Sequence, residues 1–136
     1  MLIREYSPGD LDRLLVMYRK QGFDYKFPDL DDPIFVSKLV VEDESSNVVM
    51  AALARLTCEI YLLLDPIAGS PYTRLSRLAA LHAAGEMDLR CRGLDDAHAW
   101  LPPKVAERFG RRLGDFGWVR DDVWTPYSKI LASGTP

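Results

Sequence analysis

Residues 58–93 constrain the fold of this chain most, because they predict a buried strand, a loop and a long helix in direct succession. The stretch 58–65, C-E-I-Y-L-L-L-D, is apolar at nearly every position, which is typical of a strand covered on both faces. Residues 66–73 contain two prolines and a glycine and predict a loop. Helical periodicity follows from about Thr73 and ends before Gly93. This succession predicts an α/β domain.

The residues before this unit predict two helices or loops and three strands. Residues 2–6 alternate as a short strand, and Ser7-Pro8-Gly9-Asp10 is typical of a helix start. That helix has an apolar face and should stop at Gly22. Residues 38–42 and 48–56 predict two strands joined by a short turn, which together with the strand 58–65 form an antiparallel meander.

The residues after the long helix predict a strand, a helix and a last strand. Residues 97–101 are apolar and end at Pro102-Pro103, where an amphipathic helix begins. Gly114 and Gly117 end that helix. Residues 123–131 predict a final strand. The fold class is therefore α/β with a mixed sheet, in which antiparallel front strands precede a β-α-β-α-β order.

Length and composition are those of a single domain. The chain has 136 residues, which we divide into one domain, 1–131, and a frayed tail, 132–136. No apolar run approaches the roughly 20 residues of a membrane span, and the first residues, M-L-I-R-E-Y, show no apolar signal region before a small-residue cleavage site. Cys58 and Cys91 are far apart in the sequence and form no close metal pair, so we expect no bound metal and two reduced, partly buried thiols. We also expect a cytoplasmic protein without a membrane partner.

Charge is distributed unevenly along the chain. Residues 1–69 hold seven basic and twelve acidic side chains, whereas residues 70–120 hold nine basic and six acidic ones. The mildly positive middle can attract an anionic cofactor, or it can be the solvated face of two helices. Because no basic stripe is interleaved with aromatic residues, we expect no nucleic-acid partner.

Three local patterns resemble the GCN5-related N-acetyltransferase superfamily. The first is L-I-R-E-Y-S-P-G-D-L, an opening strand with an arginine and an aspartate at the first helix. The second is residues 71–79, P-Y-T-R-L-S-R-L-A, which are similar to the family's loop P-x-x-[QR]-x-x-G-x-[GA]. The third is R-L-G-D-F-G-W-V-R, in which Gly117-Trp118 stands for the family's Gly-Phe. The resemblance covers nearly the whole chain and implies an acyl-CoA N-acyltransferase fold.

The resemblance implies that acetyl-CoA binds at the loop, where helix N-terminal N–H groups cradle its pyrophosphate. The residues implied are Leu64, Tyr72, Thr73, Arg74, Arg77 and Ala79. Arg77 stands where the family has a glycine that lets the backbone approach the phosphates. Three roles stay open for Arg77: its guanidinium can bind a phosphate, its stem can block the site, or it can be a surface arginine.

The resemblance also implies which residues carry the chemistry. Glu59 lies in the strand where the family often has an acidic base. A carboxylate in an apolar strand is costly unless it faces a cleft or a partner. The alternative to a base is that Glu59 is simply exposed at the start of the strand. Leu113 stands where the family's proton-donating tyrosine is expected, so that acid is missing. Tyr127 and Tyr72 are replacements for it, or packed aromatic residues.

Residues 23–33 alternate aspartates with aromatic residues, in the segment that often walls the acceptor site in the family. Asp24, Tyr25 and Asp29 suit a cationic small-molecule or peptide amine, through charge pairing and cation–π contact. A solvated acidic loop is the alternative.

Three functional hypotheses stay open at this point. The first is an acetyl-CoA-dependent N-acetyltransferase. The second is a degenerate member of the fold that binds a ligand or partner without acetyl transfer, and an unrelated α+β domain is a third option. Family members often dimerise, so a homodimer is one option for this chain.

Overall fold

The computed structural model of the protein describes residues 1–131, so the tail 132–136 lies outside the described residues. The chain divides into two compact units. The first, called the sheet unit, contains residues 1–64 and 84–99, and the second, called the loop–helix unit, contains residues 65–83 and 100–131 of the described chain. The single domain expected over 1–131 stays a prediction.

The described residues form five strands and three α-helices. In chain order they are β1 (Leu2–Glu5), α1 (Leu11–Gln21), β2 (Phe35–Glu42), β3 (Val48–Arg55), β4 (Cys58–Glu59), α2 (Pro71–Cys91), β5 (Ala97–His98) and α3 (Pro103–Asp115). No helix in residues 1–131 combines the length and the apolar character that crossing a bilayer requires. The mixed α/β class predicted from the sequence is confirmed.

Helix α1 begins and ends where the sequence predicts. A 3₁₀ turn, Pro8–Asp10, precedes it, and the Ser7 N–H donates to the Asp10 carboxylate at 2.8 Å. The helix ends at Gly22, whose φ of 71° is the left-handed conformation that glycine adopts without strain. Leu14 on its inner face is buried.

An ion-pair network ties the start of α1 to the sheet. The Arg4 guanidinium donates to both carboxylate oxygens of Asp10, at 2.8 and 2.9 Å, and to Glu42 at 2.7 Å. These hydrogen bonds from Arg4, followed by the one from the Ser7 N–H, hold the pKa of Asp10 well below its usual range. The arginine and aspartate that the first sequence pattern singled out are therefore joined directly.

The strands β1, β2 and β3 form an antiparallel sheet in that order. Leu2 pairs with Glu42 at one end of β1, and Val40 pairs with Ala51 across the β2–β3 hairpin. In the hairpin turn the Asp43 carboxylate accepts N–H bonds from Ser45 and Asn47, both at 2.9 Å. The predicted antiparallel pair is confirmed, although β2 begins at Phe35 rather than at residue 38.

The hydrophobic core of the sheet unit lies between α1, the loop before β2, and the sheet. Its buried residues are Leu14, Leu30, Val40 and Val48, and partly buried side chains pack against them: Tyr6, Met17, Phe27, Phe35, Ala51 and Leu53. Val40 has no exposed surface at all. This core packs α1 and the loop before β2 against the three-stranded sheet.

Strand β4 pairs with β5 in parallel, separately from the three-stranded sheet of the described residues. Cys58 is opposite Ala97 and Glu59 opposite His98, and the Ile60 N–H adds one bond to the His98 carbonyl at 2.8 Å. The prediction of a strand over 58–65, central in one mixed sheet, is wrong beyond Glu59. A strand needs a partner strand to form a ladder, and β5, which the sequence predicted over 97–101, extends only over Ala97–His98. Three residues later come Pro102 and Pro103, which have no N–H to donate.

The last strand predicted, 123–131, does not form in the described residues. Val123, Tyr127 and Ile130 are each at least 86% exposed, so the apolar pattern is not covered by a sheet. Pro126 interrupts this stretch, and a proline inside a strand removes a ladder hydrogen bond. The antiparallel sheet therefore consists of β1, β2 and β3, the predicted meander with the segment 58–65 does not form, and one β-α-β crossover from β4 to β5 is present.

Candidate functional site

The parallel pair β4–β5 carries a row of polar side chains. Glu59 is the last residue of β4 and His98 the last of β5, and Thr57 and Asp96 each lie directly before one of these strands. The register places Glu59 beside His98. The Thr57 hydroxyl donates to the Asp96 carboxylate at 2.8 Å, which links the two segments.

Glu59, the base expected from the sequence, is the last residue of β4, and its side chain is exposed. The side chain of Tyr61, two residues further along the chain, is also exposed. Hydrogen bonding to Glu59, together with the negative charge of that carboxylate, raises the pKa of Tyr61.

Asp96 organises the other half of the polar row. The Arg55 guanidinium pairs with Asp95 and with Asp96, and the His98 Nε2 lies 3.6 Å from the Asp96 carboxylate. Partial burial raises the pKa of Asp96. The hydrogen bonds from Thr57 and Arg55, together with the nearby charges of Arg55 and His98, outweigh this effect, so the pKa of Asp96 is lowered overall. Asp96 is therefore a carboxylate at neutral pH and holds β5 against the end of β3.

In the loop–helix unit, two arginines turn back onto the loop before α2. Gly69 has a φ of 76°, and its carbonyl accepts a hydrogen bond from the Arg74 Nη1 at 2.6 Å. The Arg77 Nη1 lies 3.4 Å from the position that a Cβ atom on Gly69 would occupy. Ser70 caps the helix, because its hydroxyl accepts the Thr73 N–H at 3.1 Å. Two positive groups thus gather at the N-terminal end of α2.

The other residues expected at the cofactor site lie on different segments. Tyr72 is in the first turn of α2 and is 82% exposed, and Ala79, further along α2, is exposed. Leu64 lies in the stretch after β4 and is 54% exposed. Tyr127 is 94% exposed on the segment where the expected strand does not form. Their roles stay predictions.

The loop between α1 and β2 collects aromatic side chains. Tyr18 lies 5.4 Å from both Tyr25 and Phe27, and Phe23 stacks on Tyr25 at 5.3 Å. The Asp29 carboxylate accepts the Asp31 N–H at 3.0 Å, which uses it to shape the turn. Tyr25 therefore belongs to an aromatic cluster as the sequence suggested, whereas Asp29 has a backbone-shaping contact.

In the loop–helix unit, His82 joins α2 to the residues that follow α3. The Trp118 Nε1–H donates to the His82 Nε2 at 2.9 Å, and the Phe116 ring stacks on the imidazole at 5.0 Å. Trp118 is the residue that stands for phenylalanine in the third sequence pattern. His82 therefore has a packing role here.

Comparison of the chain with protein-family models, with curated proteins and with solved structures gives no match. Within residues 1–131, no group of three or more histidine, cysteine, aspartate or glutamate side chains is placed to hold a metal ion. Function must therefore be argued from the polar row of β4–β5 and from the loop before α2.

Proposed function

We propose that this chain is a cytoplasmic acetyl-CoA-dependent N-acetyltransferase with a GCN5-related fold, acting on a small-molecule or peptide amine. The observation that carries the proposal is the parallel pair β4–β5, whose ladder ends after Glu59 and His98. The Ile60 N–H adds one bond to the His98 carbonyl, and residues 61–65 beyond it are in no strand, so we expect backbone N–H groups of the apolar segment from Tyr61 to Leu64 to meet a thioester carbonyl.

The loop before α2 supports binding of the donor's pyrophosphate. Arg74 and Arg77 bring two guanidinium groups to the loop, and guanidinium groups bind phosphates through charge-assisted hydrogen bonds. The first turn of a helix also carries N–H groups without a partner inside the helix, and a partial positive charge. Tyr72 and Thr73 lie in this turn of α2, where the Thr73 N–H donates to the Ser70 hydroxyl. The small side chain of Ala79 suits the last position of the family's loop.

Glu59 supports the chemical step as the general base. An amine attacks a thioester only without its extra proton, so a carboxylate that can take that proton is required. Glu59 is exposed, so an amine can reach it from solvent. For the acceptor, the aromatic faces around Tyr25, with Asp24 beside them in sequence, suit a cationic amine before it loses its proton.

Replacing Arg77 by alanine is expected to weaken acetyl-CoA binding about tenfold, because one charge-assisted phosphate contact is lost. Isothermal calorimetry of the native protein and of Arg77→Ala measures the two dissociation constants. Arg90→Ala is the matched control, since Arg90 is an exposed arginine near the other end of the same helix. Equal affinities for the native protein and Arg77→Ala would remove Arg77 from the site.

The second candidate function is a ligand-binding or interaction domain that keeps the fold without acetyl transfer. The position of Arg77 beside Gly69 favours this second function. The Arg77 guanidinium fills space that a glycine at position 77 would leave open to a phosphate. In that case the native protein gives no heat with acetyl-CoA, and Arg77→Gly recovers binding. The same titrations therefore separate the two candidates.

A further inference from the structure

At β5 a histidine lies beside an aspartate that other side chains hold in place. The His98 Nε2 is 3.6 Å from the Asp96 carboxylate, and Ala97 separates the two residues in the chain. Asp96 accepts a hydrogen bond from the Thr57 hydroxyl at 2.8 Å and is paired with the Arg55 guanidinium. An aspartate that two neighbours hold in place can orient an imidazole that lies against it.

The imidazole of His98 is accessible and lies next to the position proposed for the thioester carbonyl. Its side chain is 45% exposed, so water reaches it. His98 is opposite Glu59 in the β4–β5 register, and its backbone carbonyl accepts the Ile60 N–H at 2.8 Å. The apolar segment 61–64, which is proposed to meet the thioester, begins directly after that contact.

Resting on the proposed binding of acetyl-CoA, but not on transfer to an amine, we propose that this chain also hydrolyses acyl thioesters. His98 is the catalytic base that activates a water molecule, and Asp96 is its positioning residue. Histidine suits this role because an imidazole takes up and returns protons near neutral pH. Hydrolysis occurs when no amine is bound, because a bound amine displaces the water.

The step balances with one water molecule and one thioester. The water oxygen attacks the thioester carbon while His98 takes one of the water's protons, and the C–O bond forms as the C–S bond breaks. The Asp96 carboxylate stabilises the positive imidazolium, which then gives its proton to the departing thiolate. The products are the free carboxylic acid and the coenzyme A thiol, and His98 is neutral again.

Release of free thiol from acetyl-CoA in the absence of any amine tests the role of His98. The native protein should release thiol at least about tenfold faster than buffer, and His98→Gln should lower kcat about 10²-fold while KM stays within about twofold. His82→Gln is the matched control, because His82 is the other histidine of the chain and its Nε2 accepts the Trp118 N–H. It should hydrolyse acetyl-CoA at the native rate.

Added imidazole distinguishes a chemical role of His98 from a structural one. In His98→Gly the exposed side chain is replaced by open space, which a free imidazole can enter. Imidazole should therefore raise hydrolysis by this variant about tenfold above the rate of imidazole in buffer. A side chain that only supports the structure would leave His98→Gly without this rescue.

The positioning role of Asp96 is tested by a double-mutant comparison. Asp96→Asn should lower kcat about tenfold with little change in KM, but it should not slow His98→Gln further, because Asp96 acts through the imidazole. Asp95→Asn is the control, since Asp95 also pairs with the Arg55 guanidinium, and its rate should stay within about twofold of the native rate.

The outcomes separate this role from the proposed acetyl transfer. A native protein that acetylates an amine but releases thiol at the buffer rate without one would overturn the role of His98 alone, as would equal hydrolysis by the native protein and His98→Gln. Hydrolysis without acetylation of any amine would support the role of His98 and overturn the acetyl transfer. A native protein that does not bind acetyl-CoA would overturn both.

Discussion

Replacing Asp10 by alanine is expected to lower the free energy of unfolding by about 2 kcal/mol at pH 7, because hydrogen bonds to a largely buried carboxylate are lost. The side chain of Asp10 is 10% exposed and accepts two hydrogen bonds from Arg4 and one from the Ser7 N–H. Arg4 keeps Glu42 as a partner, which sets the loss near the lower end for such hydrogen bonds. Urea denaturation of the native and variant proteins measures the difference.

The same residue makes a prediction about acid. The folded pKa of Asp10 lies below its unfolded value of about 4, so its stabilisation is present above that pH and is lost as the pH falls below it. The difference between native and Asp10→Ala should therefore shrink below about pH 4. Asp12→Ala, an exposed neighbour, should change stability by less than about 0.5 kcal/mol. Equal effects of the two substitutions would contradict the Arg4–Asp10 network.

Replacing Glu59 by glutamine is expected to cut turnover on a good amine by about 10²-fold or more, because the amide cannot accept the amine proton. The substitution keeps the size of the side chain and its exposed place on β4, so the loss should appear in kcat and not in acetyl-CoA binding. Steady-state release of the coenzyme A thiol, with calorimetry of donor binding alongside, separates the two effects.

Glu107→Gln serves as the control for Glu59→Gln, since Glu107 is an exposed glutamate on α3. It should turn over at the native rate. If Glu59→Gln also turned over at the native rate, Glu59 would have no part in proton transfer.

Local sequence signals predicted the parts of the fold that depend on neighbouring residues. Asp10 and Gly22 bound α1, and the acidic turn at 43–47 joins β2 to β3. These features follow from capping, from left-handed glycine and from alternating side chains, all of which act over a few residues. The helices α2 and α3 were also placed within a few residues of their observed ends.

The errors concern strands that need distant partners. The run 58–65 is apolar enough for a central strand, yet it forms a ladder over Cys58–Glu59 alone. The pattern at 123–131 fails in the same way, with Pro126 as a further obstacle. Hydrophobicity indicates that a segment can pair, but the ladder depends on the length and register of another strand, which no local pattern contains.

The candidate site was predictable to a similar extent. Glu59 stands out in the sequence as a polar residue in an apolar run, and it lies at the end of β4 with an exposed side chain. The return of Arg74 and Arg77 to Gly69 was not predictable, because it depends on the path of the loop and on the rotamers of two long side chains. The role of Asp96 depends on the parallel register of β5.

The proposed acetyl transfer is tested most directly by incubating the native protein with acetyl-CoA and a panel of amines, and measuring free thiol and acetylated amine together by mass spectrometry. The panel spans a polyamine, an amino-acid amide and a peptide with a free N-terminus. We expect equimolar thiol and acetylated product from at least one of them, well above the uncatalysed rate. Saturable binding of acetyl-CoA with no product from any amine would contradict the enzyme and favour the ligand-binding domain.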